Sequence, residues 1–77
     1  MPKPTELERK KQIRAELIDD IQFAGEMIAA YTQVLEKSKR LNHSAELLRQ
    51  IEGLIFFEEQ LMARCRKKLM DLRRGKL

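Results

Sequence analysis

The sequence predicts an all-α fold: a long antiparallel helical hairpin of two helices, assembling as a dimeric four-helix bundle. Three observations carry this expectation. Charged residues make up 36% of the 77-residue chain and apolar residues 43%, with only three glycines and two prolines. That balance belongs to long helices or coiled coils, since disorder would fit the charge but not the apolar content. Apolar residues recur at alternating spacings of three and four in both halves of the chain. A single turn signal, Leu41-Asn42-His43-Ser44, divides the halves.

The first helix is expected over residues 6–41. Its start is a capping box, Thr5-Glu6-Leu7-Glu8, in which the Thr5 hydroxyl accepts a backbone bond and the Glu8 carboxylate returns one. No proline follows it. Leu17, Ile21, Ala24, Ile28, Tyr31 and Leu35 form a heptad seam along this helix. A second seam, Phe23, Met27, Ala30, Val34 and Leu41, runs beside it. Together they cover about half the helix circumference, wider than the stripe of an ordinary surface helix, about 100°.

The turn is expected at 42–44, where Asn42 suits a helix end and Ser44 the next N-cap. The second helix then runs over 45–74 and stops at Gly75. Its main stripe reads Leu47, Ile51, Leu54, Leu61, Cys65, Leu69 and Leu72, flanked by Leu48, Ile55 and Met62. At these lengths the helices extend about 45–54 Å each. Gly25 and Gly53, at about 1 kcal/mol apiece relative to alanine, leave each helix open to a kink or to a break that would make three helices. The whole chain, 1–77, is read as one hairpin domain.

Folding back about the turn sets residues whose numbers sum to about 85 side by side. Asp19 and Asp20 then meet Arg64, Arg66 and Lys67; Arg14 meets Asp71, and Glu36 meets Arg49. The small residues Ala24, Ala29 and Ala30 would lie against Phe56 and Phe57.

One hairpin covers one seam per helix. Phe23, Met27, Ala30, Val34 and Leu41 are therefore expected to stay exposed, and Phe56 points away from the stripe of the second helix. A contiguous apolar patch of this kind marks a partner surface, whether for a homodimer or for a helical protein partner. Glu58 falls inside the apolar stripe with no cation of the first helix near it. It is read as reaching to solvent or as pairing across a partner interface.

Chemistry is sparse. Cys65 is the one cysteine and His43 the one histidine, so neither an internal disulfide nor a zinc cluster can be assembled. Carboxylate-rich bundles that bind di-iron need Glu-x-x-His on facing helices, and His43 lies in the turn. No hydroxyl has a histidine beside it in sequence, Cys65 sits in the apolar seam, and no glycine-rich phosphate loop is present. An enzyme, a cofactor, a metal and a small-molecule substrate are all unexpected. Residues 1–14 are polar and charged, unlike a signal peptide. The longest apolar run is Leu54-Ile55-Phe56-Phe57, against the ~20 residues of a membrane span. A cytoplasmic chain is expected.

The charge is segregated. Residues 1–14 and 64–77 hold twelve of the sixteen basic residues against three acids, whereas residues 15–63 hold four against nine. A single fold-back brings both ends to one positive pole. Lys10, Lys11, Arg64, Arg66, Lys67, Lys68, Arg73 and Arg74 are its candidate phosphate contacts. No aromatic residue is interleaved for base stacking, and no helix-turn-helix or zinc-finger spacing is present.

Val34-Leu35-x-x-Ser38-x-x-Leu41 resembles the core of the small helical-hairpin phosphatases of sporulation regulators. The resemblance covers residues 34–41, and Asn42 stands where that family carries its aspartate, so no activity is carried over from it. The functional expectation is a non-enzymatic protein–protein interaction module, a regulatory adaptor or chaperone-like protein. The alternative is a small nucleic-acid-binding protein using the basic pole.

Overall fold

The structure, a computed structural model, describes residues 5–75. It contains two helices, α1 (Glu6–Arg40) and α2 (Ala45–Arg73), packed as a hairpin. The dimensions are 57 × 24 × 15 Å. Both helices run unbroken through Gly25 and Gly53, so neither glycine marks a break. Gly25 faces Met62, whose Cε would lie 3.4 Å from an added Cβ, while Gly53 opens to empty space.

The helix ends follow the chemistry written into them. The Thr5 hydroxyl accepts from the Glu8 N–H, and the Thr5 N–H donates to the Glu8 carboxylate, each at 3.2 Å. α1 closes on a left-handed Asn42, φ 55°. The Asn42 N–H donates to the Lys39 carbonyl at 3.2 Å and the His43 N–H to the Ser38 carbonyl at 3.1 Å. This is the paired arrangement of a Schellman end, in which asparagine tolerates the conformation that glycine usually supplies. Ser44 caps α2 by accepting from the Leu47 N–H. At the far end a left-handed Gly75, φ 76°, returns its N–H to the Leu72 carbonyl.

The inter-helix seam of α1 is the expected one: Leu17 and Ala24 are buried, Ile21, Ile28, Tyr31 and Leu35 half-buried, and Ser38 extends the row. On α2 the expected Ile51, Cys65, Leu69 and Leu72 are buried or half-buried, but the rest of the row is displaced from expectation. Leu48, Ile51, Ile55, Glu58, Met62, Cys65, Leu69 and Leu72 face α1, while Leu54 and Leu61 are 47% and 36% exposed. The reason lies at the end of each row. The heptad line through Leu47, Leu54 and Leu61 ends on Lys68, whereas the line through Leu48, Ile55 and Met62 ends on Leu69. Turning the second line inward keeps a lysine ammonium in water.

The core is thin. Its buried apolar residues are Leu17, Ala24, Ile51, Cys65 and Leu72, and no large side chain among the described residues is fully enclosed. Ala24, at 0% exposure, is the most completely covered of them. Phe56 and Phe57 are both more than 60% exposed, and Ala29 and Ala30 are exposed too. The expected packing of phenylalanine on the alanine stretch is therefore absent. So are the expected cross-hairpin ion pairs: among the described residues the one pair within 4 Å is Lys10 with Glu6, a turn apart on α1, at 3.7 Å. Exposed side chains gain too little from pairing, about 0–1 kcal/mol, to be drawn across the gap. Apolar burial, not charge, sets the register. No helix is long and apolar enough to cross a membrane among the described residues.

Candidate protein-binding face

The apolar residues left outside the seam are not scattered. On α1, Met27, Val34 and Leu41 each immediately precede a seam position or its heptad equivalent. Phe23 and Ala30 precede Ala24 and Tyr31 in the same way. On α2, Leu47, Leu54 and Leu61 precede Leu48, Ile55 and Met62, and Phe57 precedes Glu58. One residue is a rotation of about 100° around a helix axis. In an antiparallel pair the two senses of rotation are opposed, so the residue before each seam position falls on the same side of the hairpin in both helices. These two flanks therefore merge into one face.

That face runs from Leu41 and Leu47 beside the turn, through Val34 and Leu54, Ala30 and Phe57, to Met27 and Leu61, ending at Phe23. Exposure along it is high: Leu41 58%, Val34 49%, Phe57 64% and Phe23 60%, with Met27 and Leu47 half-buried. The strip is about 27 Å long and two helices wide, on the order of 500 Å². The largest apolar patch on a typical soluble monomer is about 300–600 Å² and is often functional. The whole chain exposes 6506 Å², whereas a compact monomer of its mass would expose about 4,900 Å². The difference, about 1,600 Å², is roughly twice the ~800 Å² that one partner buries in a standard protein–protein interface.

Five residues expected on a partner surface, Phe23, Met27, Ala30, Val34 and Leu41, thus do lie together. Phe56 does not join them. It follows Ile55, so it projects from the opposite flank of the hairpin, 61% exposed, among Arg49, Glu52, Glu59 and Ala63. Its place on the apolar face is taken by Phe57, with Leu47, Leu54 and Leu61. Sequence reasoning assigned those three leucines to the core. Leu47 is half-buried, as Leu48 is, while Leu54 and Leu61 are exposed. The contrast between Lys68 and Leu69 was the signal that separates the two rows.

Glu58 occupies the seam. Its Oε2 is buried and makes no hydrogen bond among the described residues, level with the stretch of α1 that carries Ile28 and Thr32. The Thr32 hydroxyl is committed to the Ile28 carbonyl at 2.7 Å. An unsatisfied buried acceptor costs about 1–3 kcal/mol. Glu58→Leu, which extends the apolar row, is therefore expected to raise unfolding stability by about that amount. Urea denaturation followed by helical circular dichroism measures it; a loss of stability would show that the carboxylate is held by something worth more than an apolar contact.

The basic residues gather at the open end, where both helix ends meet, but they point several ways. Leu7, Lys10, Lys11, Arg14, Leu72 and Arg73 line an open groove between the helix ends. Arg66 lies on the groove side of α2, while Lys67 and Arg74 project away from α1. Arg64 and Lys68 share the side of the apolar face, where α1 contributes Glu16 and Asp20. Cys65 is buried in the seam and His43 exposed in the turn. No group of three His, Cys, Asp or Glu side chains is placed to hold a metal ion among the described residues.

Comparison with known proteins finds no match: no protein-family model, no curated protein and no solved structure resembles the chain.

Proposed function

We propose that this chain is a non-enzymatic protein–protein interaction module, a small regulatory adaptor or chaperone-like protein, acting through the apolar face of the hairpin. The observation that carries the reading is that both helices contribute to one uncovered strip, Leu41 to Phe23 on α1 and Leu47 to Leu61 on α2. A hairpin with five buried apolar residues among the described ones gains from any partner that covers it, because small domains bury too little surface alone. Covering an apolar helix face with a helix is a common recognition mode. The test is Val34→Asp at the middle of the strip. Association of the chain, with itself or another protein, should be lost while helicity is retained; unchanged association contradicts the reading.

The groove at the open end favours a second reading, a nucleic-acid-binding protein. Lys10, Lys11, Arg14 and Arg73 converge there. Of these four, only Lys10 is answered by an acid within 4 Å among the described residues. Phosphate contacts release counterions, so affinity would fall steeply with salt. Converting Lys11, Arg14 and Arg73 to glutamine should lower the slope of log affinity against log salt by about 2–3 on duplex DNA. No binding to DNA or RNA at low salt would remove this reading.

A further inference from the structure

We propose that the occupant of the apolar face is a second copy of this chain. The copies are related by a two-fold axis running parallel to the helices, so that α1 of each hairpin lies along α2 of the other. The inference rests on the protein-interaction reading and names its partner.

The face is self-complementary in this arrangement. Residues level with one another across the hairpin become residues facing one another across the interface. Gly25 opposite Met62 fixes those levels. Leu41 then meets Leu47 of the second copy, Val34 meets Leu54, and Met27 meets Leu61, each within a helical turn. Ala30 lies against Phe57, a small side chain opposite a large one. Phe23 comes to the level of Arg64, a pairing in which a guanidinium can cover an aromatic ring.

Beyond the apolar strip the same operation sets charge against charge. Asp20 continues the row of Met27 and Val34 on α1, and Lys68 continues the row of Leu54 and Leu61 on α2. They reach nearly the same level and face each other across the interface twice, once on each side of the axis. Within one hairpin this carboxylate and ammonium stand on the same side without forming an ion pair, so each is free to be answered by the other copy.

Area separates this arrangement from its rival. With the two-fold perpendicular to the helices, α1 would face α1 and only the halves nearest the turn would overlap. That buries only the apolar strip, about 27 Å long and roughly 1,000 Å² in total, at the bottom of the range expected of a biological interface, and it leaves Asp20 and Lys68 unmatched. The parallel arrangement overlaps the full length of the hairpin, about 50 Å, and buries about 1,800 Å² in total. It also gathers the two basic ends at one end of the bundle, an opposing term screened over about 10 Å at 0.1 M salt.

The test uses Asp20→Lys and Lys68→Asp, both at exposed positions, with circular dichroism confirming that each variant stays helical. The wild type should have a solution mass of twice 9.1 kDa. Each variant alone presents like charges at both contacts, and its dimer should dissociate at least tenfold more readily. An equimolar mixture should return to the dimer mass. In a mixed pair both contacts between chains set a lysine against an aspartate, and like charges meet only within each chain. Repulsion within a hairpin is the same in the mixture, so it cannot produce this rescue. A monomeric wild type overturns the second copy as partner. Variants that dimerise like wild type, or a mixture no heavier than its components, overturn the arrangement. If Val34→Asp also leaves the wild-type mass intact, the apolar face itself is not in use, and the underlying reading fails separately.

Discussion

Ile51→Ala is expected to destabilise the hairpin by about 2–4 kcal/mol, the cost of emptying a buried isoleucine site. Ile51 is one of five buried apolar residues among the described ones, 7% exposed, and sits in the second turn of α2, close to where the helices leave the connection. A chain of this length is stable by about 4–11 kcal/mol, and so thin a core places it toward the lower end. Thermal unfolding followed at the helical band should therefore show a midpoint lowered by about 8–32 °C, at about 4–8 °C per kcal/mol for a small domain. The same substitution at exposed Leu54 should change that midpoint far less in the isolated hairpin. Comparable shifts at both positions in a Val34→Asp background, where the hairpin is isolated, would mean that the two rows of α2 share the seam.

The second large effect concerns association. Val34 and Phe57 stand at the centre of the exposed strip, 49% and 64% exposed, where central apolar residues carry most of the energy of an interface. An aspartate at either site places a carboxylate in a dry contact, and burying an unpaired charge is opposed strongly enough to prevent the contact. Association should weaken at least a hundredfold, about 2.7 kcal/mol, with no change in helicity. Phe56→Asp should leave association within about threefold of wild type, since Phe56 projects from the opposite flank, and exposed surface changes away from a contact have small effects.

The hairpin itself was legible because its signals are local. The Thr5 capping box, Asn42 and Ser44 at the turn, and Gly75 at the end each act through backbone bonds within a few residues, and each holds its expected place. The α1 seam was legible for the same reason, its heptad row being uninterrupted. The facing row of α2 was not, because two adjacent rows are almost equally apolar. The choice between them is made by Lys68 against Leu69 at the far end, and by accepting Glu58 into the seam. Helix rotation follows from which row is turned inward, so this one choice moves Leu54, Leu61 and Phe57 onto the surface and sends Phe56 to the other side. Charge matching across the fold-back was a poor guide to contact: exposed lysine and arginine side chains remain solvated, and the described ion pair is local.

The assembled face is consequently a property of both helices that neither helix shows alone. Sequence reasoning found its α1 half from periodicity. The α2 half required the rotation of that helix, which packing decides.

The most direct test is the solution mass, by light scattering behind a sizing column, of Phe57→Asp beside Phe56→Asp. The two positions are neighbours in sequence, chemically identical, and equally exposed in the hairpin, at 64% and 61%. The account predicts Phe56→Asp at twice 9.1 kDa, as for the wild type, and Phe57→Asp at the monomer mass. Equal masses for the two variants, or loss of the dimer in Phe56→Asp alone, would contradict it.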